Sequence, residues 1–226
     1  MKNTFTIFLL FICYFASSQS LSGEINYKAY PRVKENIDTT GIDIPKNLYQ
    51  DVIKALKYFE NITFKLTFNA NYSRFAVENV LQSDLNYKFF SLAKIITMTN
   101  NIYYQNLKTH QVIEEVDGVY LAIDKKVKWT LRNGKKVING YTCYKAVYSD
   151  HRISAEGKNF TVEIVAWYCP EFPVSLSPDL YNGLPGIVLE LNNGNVVFVA
   201  KEIKYYKEAV KINFYQKHHQ EGTLLL

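Results

Sequence analysis

The sequence has few of the residues that small proteins use to hold metals, cofactors or phosphate groups. Its 226 residues include only three cysteines and four histidines, and no His-x-x-x-His or Cys-x-x-Cys spacing occurs. Neither a Gly-rich phosphate loop nor a Gly-x-Ser-x-Gly nucleophile elbow is present among its ten glycines. The neighbours Asp150-His151 are expected on an exposed hairpin connection, where adjacent side chains point apart. We therefore predict no catalytic residues, no cofactor and no metal ligands.

Strong net charge is also lacking. The chain has 26 Lys and Arg residues and 21 Asp and Glu residues, which gives a net charge of +5 at pH 7. Such a small surplus suits solubility, and the sequence shows no basic stripe of the kind that marks nucleic-acid-binding proteins. We expect no nucleic-acid partner.

Long apolar runs are absent except near the first residue. Lys2, the apolar run of residues 4–15 and the small residues Ala16 and Ser18 match a secretory signal peptide. The run is shorter than the roughly 20 residues that a membrane-spanning helix needs, which argues against an uncleaved anchor. We predict a signal peptide over residues 1–18 that is cleaved before Gln19. The mature chain, residues 19–226, is then exported and has no transmembrane span.

Two cysteines, Cys143 and Cys169, remain after this cleavage. Exported proteins fold in an oxidising compartment, where an even number of cysteines favours a disulfide. This bridge would be worth about 3 kcal/mol through the entropy of the loop that it closes in the unfolded chain. Two unpaired, buried thiols are the alternative, because the register of the strands that carry the cysteines is open.

Aromatic residues, in contrast, are abundant. Eighteen Tyr, 14 Phe and two Trp make up 15% of the chain, and such residues favour half-buried positions in β-sheets. Some could instead line a ligand groove, because a tyrosine offers both an apolar ring and a polar tip. Trp129, Trp167 and Tyr168 are the candidate groove residues.

Alternation of apolar and polar residues dominates the rest of the chain. It is clear over residues 64–68 and on both sides of Asp117-Gly118, which is a two-residue hairpin signal. We count about ten short strands. They include one over residues 127–131, followed by a turn at Asn133-Gly134, and a last one over residues 210–215. The short connections between them predict an antiparallel sheet.

Two segments have helical spacing instead. Apolar residues recur every three or four positions over residues 48–59, after a helix-start signal at Pro45, and a weaker helix is predicted over residues 78–86. We predict one domain with a mainly β fold. Its single antiparallel sheet is strongly curved, half-barrel or barrel-like, with one or two helices packed on it. A β-sandwich is the alternative.

The most specific motif is Gly183-Leu184-Pro185-Gly186-Ile187, which leads into a strand of branched apolar residues. The two glycines permit backbone angles that are closed to other residues, and the proline between them fixes one dihedral angle. The leucine and the isoleucine are then expected to enter the core on either side. The motif predicts a rigid turn but does not indicate a chemistry.

Together with Trp129, residues 140–146 and residues 166–173, this motif resembles the GLPGLI family of secreted Bacteroidetes proteins. The resemblance covers roughly residues 128–191. The sequence departs from the family pattern at Ile187-Val188, where Leu-Ile is usual, and at Cys169, where a small hydroxyl residue is usual. The resemblance implies a β-rich domain in the periplasm or cell envelope of a Gram-negative bacterium, and it implies no catalytic residues.

Two functions fit these observations best. The first is a non-enzymatic binding protein of the cell envelope that holds a hydrophobic ligand or a peptide in an apolar cavity of a few hundred cubic ångströms. The alternative is a scaffold or assembly factor for an envelope protein complex, which would act through an exposed sheet edge or an apolar patch. A hydrolase of unrecognised type is the least favoured. The sequence names neither a ligand nor a partner.

Overall fold

The computed structural model describes residues 21–32, 46–78, 87–99, 101–154 and 156–213. The predicted signal peptide, residues 1–18, lies outside these described residues. So does the weaker predicted helix over residues 78–86, except for Glu78. Within the described ranges β-strands predominate, as the alternation of the sequence predicts.

Eleven strands in the described part of the chain form a single antiparallel sheet. They are β1 (Gly23–Pro31), β2 (Thr63–Phe68), β3 (Tyr72–Val77), β4 (Ile102–Asn106), β5 (Val112–Val116), β6 (Val119–Ile123), β7 (Thr130–Ile138), β8 (Tyr141–Ile153), β9 (Asn159–Cys169), β10 (Ile187–Asn192) and β11 (Val196–Tyr205). Their order across the sheet is β6-β5-β4-β3-β2-β1-β11-β10-β9-β8-β7. The prediction of one antiparallel sheet is confirmed, and the strands do not divide into the two sheets of a sandwich.

Two helices accompany the sheet within the described ranges. Helix α1 (Lys46–Phe59) coincides with the predicted helix, and its Ala55 and Phe59 are completely buried. Helix α2 (Tyr87–Thr97) begins directly after the segment predicted as the weaker helix. The sequence pattern does not predict α2, because the apolar residues of YKFFSLAKIIT are spread around the helix and give little contrast between its faces.

One ion pair demonstrates that the sheet is strongly curved. Lys125 follows β6 at one edge of the sheet, whereas Asp150 lies in β8, next to the opposite edge. Nine strand spacings separate β6 from β8 in the sheet order, so a flat sheet would hold them roughly 40 Å apart. The Nζ atom of Lys125 and the Oδ1 atom of Asp150 are 2.6 Å apart. The sheet therefore curls until its two ends approach each other, although the edge strands β6 and β7 are not paired with each other.

Aromatic side chains fill the core on the inner face of this sheet. The rings of Phe64, Phe75 and Phe198 pack together with centroids 5.2 to 5.8 Å apart. Tyr27 packs against Phe75 edge to face, and its hydroxyl donates a hydrogen bond of 2.7 Å to the carbonyl oxygen of Val188. Such ring pairs contribute about 0.5–1.5 kcal/mol each beyond the area they bury. Much of the aromatic content of the chain is thus structural.

The predicted turn at Asn133-Gly134 is wrong. Strand β7 continues through these residues, and a bulge between Arg132 and Lys135 accommodates them. A β-carbon on Gly134 would lie 3.2 Å from a ring carbon of Trp167. The β-carbon of Lys145 would lie closer still, at 3.0 Å, so close packing against these two side chains, and not a turn, accounts for the glycine.

The last predicted strand, residues 210–215, is also wrong as far as it is described. Residues 210–213 belong to no strand. The backbone N–H of Val210 instead donates a hydrogen bond of 2.9 Å to the Oγ atom of Ser22, and its carbonyl accepts one from Asn69. Side-chain hydrogen bonds here replace the strand ladder that the alternation predicts.

Candidate functional site: the motif cleft

The Gly183-Leu184-Pro185-Gly186-Ile187 motif forms a rigid loop (the motif loop) that leads into β10. Both of its glycines have positive φ angles, 95° at Gly183 and 155° at Gly186. A β-carbon on Gly186 would lie only 2.2 Å from the carbonyl oxygen of Cys169, so the loop can approach β9 this closely only with glycine. Leu184 and Ile187 are buried, as expected.

Hydrogen bonds from neighbouring segments hold the motif loop in place. The indole N–H of Trp129 donates a bond of 2.8 Å to the carbonyl oxygen of Asn182. The backbone N–H of Gly183 donates a bond of 3.0 Å to the Oγ atom of Ser175. Because these hydrogen bonds are made and the side chains of Leu184 and Ile187 are buried, the shape of the loop is fixed, with Pro185 exposed on its surface.

The motif loop forms one wall of a cleft between the two ends of the curled sheet (the motif cleft). The cleft is lined by residues 109–111 in the β4–β5 turn, residues 122–127 at and after the end of β6, Ser175, and residues 182–185. Its volume is ≈ 750 Å³, which falls in the size range of small-molecule and peptide pockets.

The lining of the motif cleft is mixed in character. Apolar side chains such as Val127 and Leu184 contribute to it, together with exposed polar residues that include His110, Gln111 and Lys126. The cleft is therefore larger and more polar than the apolar cavity that the sequence predicts. Apolar surface with polar groups beside it matches the chemistry of a peptide, which presents side chains and backbone amides together.

One residue of the cleft lining, Lys125, belongs to a buried ionic cluster with Asp150, Arg152 and Tyr181. The side chain of Asp150 is only 3% exposed and accepts hydrogen bonds from Lys125 Nζ at 2.6 Å and Arg152 Nε at 2.9 Å. The hydroxyl of Tyr181 donates a third bond to Asp150, at 2.7 Å. Arg152 also donates to the carbonyl oxygen of Asn193 at 2.7 Å. The ionic cluster thus ties together three parts of the chain that meet beside the cleft.

The pKa values of Asp150 and Asp179, two carboxyl groups that interact with Lys125 beside the cleft, are shifted in opposite directions. Burial alone would raise the pKa of Asp150, but the hydrogen bonds from Lys125, Tyr181 and Arg152 outweigh it and hold this pKa below its usual value. Burial raises the pKa of Asp179, and its hydrogen bonds only partly oppose that shift. Three side chains of the same chain donate hydrogen bonds to the Asp150 carboxylate. The ionic cluster therefore has a structural role and holds these segments of the chain together.

The three aromatic residues predicted for a groove are not brought together. Trp129 is half-buried and supports the motif loop, but it does not line the cleft. Tyr168 is buried in the core. Trp167 faces the other side of the sheet, as its alternate position in β9 requires, and the Nζ atom of Lys136 lies 4.4 Å from the centre of its ring.

The ionic cluster is the feature of the site that sequence reasoning misses. Asp150 and His151 lie within β8 and not on the exposed connection that the sequence predicts. His151 is exposed, and its Nδ1 atom lies 3.0 Å from the Oγ1 atom of Thr161. The sequence does place Asp150 on the inner face, because residues two apart in a strand share a face and Tyr148 points inward. A carboxylate on an inner face needs buried partners.

Cys143 and Cys169 are buried, free thiols in the structure. Strands β8 and β9 pair Tyr144 with Tyr168, so Cys143 and Cys169 are the next residues along the same register. Burial raises the pKa of the Cys143 thiol to about 11, and the nearby Cys169 adds to the shift. A disulfide between them therefore requires no change of strand register.

We expect these thiols to form a disulfide when the protein is oxidised. The free energy of unfolding should then rise by about 3 kcal/mol, because the bridge restricts the unfolded chain. Intact-mass measurement after alkylation of the denatured protein, and urea unfolding with and without reductant, check this. The stability of the Cys143→Ala variant should not respond to reductant. Two alkylated thiols in protein that was kept oxidised would contradict the prediction.

Within the ranges that the structure describes, no helix is long and apolar enough to cross a lipid bilayer. In the same ranges no group of three or more His, Cys, Asp or Glu side chains is arranged to hold a metal ion.

Comparisons with solved structures relate the fold to PNGF-II. One crystal form of PNGF-II matches with a TM-score of 0.50 and 17% sequence identity over 84% of this chain and 28% of that chain. A second crystal form gives a TM-score of 0.49 at 17% identity, over 84% of this chain and 29% of that one. A DUF1329 family protein from Desulfovibrio piger matches with a TM-score of only 0.25 and 9% identity, over 87% and 89% of the two chains.

The match at a TM-score of 0.50 shows a similarity of fold alone. The chain spans less than a third of the length of the PNGF-II chains that it matches. No curated protein matches the sequence. One family model, described as the N-terminal domain of N-glycanase peptide, matches residues 56–225, which is well over half of the chain. The protein therefore belongs to this family of N-glycanase N-terminal domains.

Proposed function

We propose that the protein is an exported, non-enzymatic binding domain of the bacterial cell envelope, which holds a peptide or another largely apolar ligand in the motif cleft. The observation that carries this proposal is the cleft itself. It has a volume of ≈ 750 Å³, and its wall is a loop whose shape two glycines and buried side chains fix. A preformed site of this kind loses little conformational freedom when a ligand binds.

Three further observations support the proposal. Residues 1–18 have the pattern of a signal peptide, which supports export. The family description names an N-glycanase peptide, so a glycan-bearing peptide is the first ligand class to test. The resemblance to the GLPGLI family implies the same location in the cell envelope.

The state of two charged groups beside the cleft, Asp150 and Lys125, favours a binding role over catalysis by these groups. Asp150 already accepts three hydrogen bonds from its own chain. Lys125 is committed to that carboxylate and also lies 4.8 Å from the centre of the Tyr181 ring. Groups saturated in this way are poor acids, bases or nucleophiles, because a reacting group must exchange its partners with the substrate.

The test compares two tryptophan substitutions on β6. Ala122 is exposed and lines the cleft, so Ala122→Trp should fill it and weaken binding by about tenfold to 100-fold. Val119 lies on the opposite face of the same strand and is 58% exposed, so Val119→Trp should leave the cleft open. Native mass spectrometry of protein purified from its own cells should find the same bound molecule on the wild type and on V119W, and much less on A122W.

Two outcomes would contradict this function. Equal retention of the molecule by A122W would place the binding site elsewhere. Cleavage of a peptide or glycopeptide by the purified wild-type protein would show an enzyme and not a binding domain.

A further inference from the structure

One stretch of the chain is strongly basic although the whole chain is not. Residues 125–149 contain no Asp or Glu. The basic residues in this stretch are Lys125, Lys126, Lys128, Arg132, Lys135, Lys136 and Lys145. They are spread over two strands and the segment before them, which explains why the linear sequence shows no stripe. Pairing of β7 with β8 brings Arg132, Lys135, Lys136 and Lys145 to one edge of the sheet. The other three lie in the segment that leads from β6 into β7.

Two of these basic residues are neutralised within the chain. Lys125 pairs with Asp150, and Lys136 pairs with Glu190, each at 2.6 Å. The other five have no ion pair with any carboxylate in the described part of the chain, and we call them the basic edge: Lys126, Lys128, Arg132, Lys135 and Lys145. Four of the five are exposed, and Lys145 is half-buried.

Two members of the basic edge stand in an unfavourable arrangement. Arg132 in β7 is the direct cross-strand partner of Lys145 in β8. Cross-strand partners project from the same face of a sheet, and like charges at such positions destabilise it. A shallow groove of ≈ 510 Å³ runs past both residues. Glu163 also lines this groove, but it forms no ion pair with a described residue. A carboxylate from another molecule would relieve the repulsion between Arg132 and Lys145.

The backbone of β7 is open on the side away from β8. β7 is the last strand in the sheet order, so no described strand pairs with its outer edge. Leu131 and Val137 on this strand are 62% and 68% exposed. The strand therefore presents unpaired backbone groups, apolar side chains and uncompensated positive charge along one line.

We propose that the basic edge binds an acidic polypeptide segment, which adds to β7 as an extended strand and places its carboxylates beside Arg132 and Lys145. Backbone pairing would supply affinity, and the charges would supply selectivity. Lysines at a sheet edge also discourage pairing between two copies of the same strand. Like charges thus disfavour pairing of β7 with a second copy of itself, whereas a strand of opposite charge is attracted. Of the basic edge, only Lys126 also lines the motif cleft, and Arg132 and Lys145 lie outside that cleft lining.

A labelled synthetic peptide of alternating Glu and Val residues is the probe, and fluorescence anisotropy on the whole chain is the measurement. Binding should weaken as salt is added, because the contacts are between exposed charges. The matched peptide of alternating Gln and Val should bind about tenfold more weakly. The Glu–Val peptide with N-methyl groups on alternate residues keeps its charge but cannot pair as a strand, so it should not bind.

Protein variants separate the charge effect from folding. Arg132→Glu turns the repulsive pair with Lys145 into an attractive one, so this variant should unfold at the same or a higher temperature and yet bind the acidic peptide about tenfold more weakly. The variant with Lys57→Glu and Lys158→Glu places the same kind of change at two exposed lysines outside the basic edge. It should bind the peptide as the wild type does.

Three results would overturn the proposal. One is equal binding of the N-methylated peptide, which would exclude strand addition. Another is undiminished binding to the R132E variant, which would place the site elsewhere. The third is tighter binding of an oligonucleotide or of anionic lipid vesicles than of the peptide, lost in R132E, which would assign the surface to a different class of anion.

Discussion

Replacement of Asp150 by alanine is expected to lower the free energy of unfolding by about 3 kcal/mol. The substitution removes the one acceptor that Lys125, Arg152 and Tyr181 share. Lys125 then remains partly buried without a carboxylate partner, and Arg152 keeps only its hydrogen bonds to Asn193 and Tyr181. The value lies at the low end for a buried ion pair, because the side chains of Lys125 and Arg152 are 27% and 24% exposed. Equilibrium unfolding in urea measures the change.

The matched control removes a partner and keeps the carboxylate. Lys125→Met leaves Asp150 bonded to Arg152 and Tyr181, so we expect a loss of about 1 kcal/mol. A variant at the exposed pair of Lys204 and Glu202, such as Lys204→Met, should change stability very little. If Asp150→Ala lowers the free energy of unfolding no more than Lys204→Met does, the ionic cluster does not have the structural role that its geometry indicates.

The same carboxylate predicts an acid dependence. Its pKa in the folded protein is below its usual value, so its stabilising effect is complete above the pKa of the unfolded chain, about 3.9. The effect is lost as the pH falls through the folded pKa. The stability difference between wild type and Asp150→Asn should therefore be constant near neutral pH and should shrink below about pH 4. A difference that instead grows on acidification would contradict the assigned direction.

Replacement of Gly186 by alanine is expected to cost about 4 kcal/mol. The new β-carbon would overlap the carbonyl oxygen of Cys169, which lies 2.2 Å from its position. That oxygen belongs to the backbone and cannot turn aside as a side chain would. The φ angle of 155° adds strain of its own. Thermal unfolding followed by circular dichroism measures the loss, and reduced ligand binding should accompany it because the motif loop must shift.

Gly183 provides the control within the same loop. Its φ angle is 95°, but a β-carbon there would meet no atom within 4 Å. Gly183→Ala should therefore cost only the backbone strain, about 1–2 kcal/mol. Equal losses at the two glycines would mean that close approach to β9 is not what Gly186 provides.

The motif could be predicted from the sequence because its signals are local. Two glycines around a proline restrict the backbone wherever they occur, and the hairpin at Asp117-Gly118 is specified in the same way. The burial of Leu184 and Ile187 follows from their place beside that turn. Features that depend on neighbouring residues in the chain are thus accessible to sequence reasoning.

The ionic cluster and the basic edge could not be predicted in this way. Lys125 meets Asp150 only because the sheet curls through nine strand spacings, and nothing near either residue specifies that curvature. Arg132 faces Lys145 only because a bulge in β7 sets the register on both sides of Asn133-Gly134. Both features depend on the strand order and register of the whole sheet, which the alternation of single strands does not contain.

The central pair of strands has a consequence for how the protein is made. β1 and β11 pair along their whole length, with Gly23 opposite Tyr205 and Pro31 opposite Val196. β1 is therefore synthesised long before β11, its neighbour on one side. Such pairing over long sequence separation gives high contact order and slow folding, on the order of milliseconds to seconds. The sheet remains two unconnected halves until β11 has been synthesised, and a chaperone has that interval in which to bind the exposed strand.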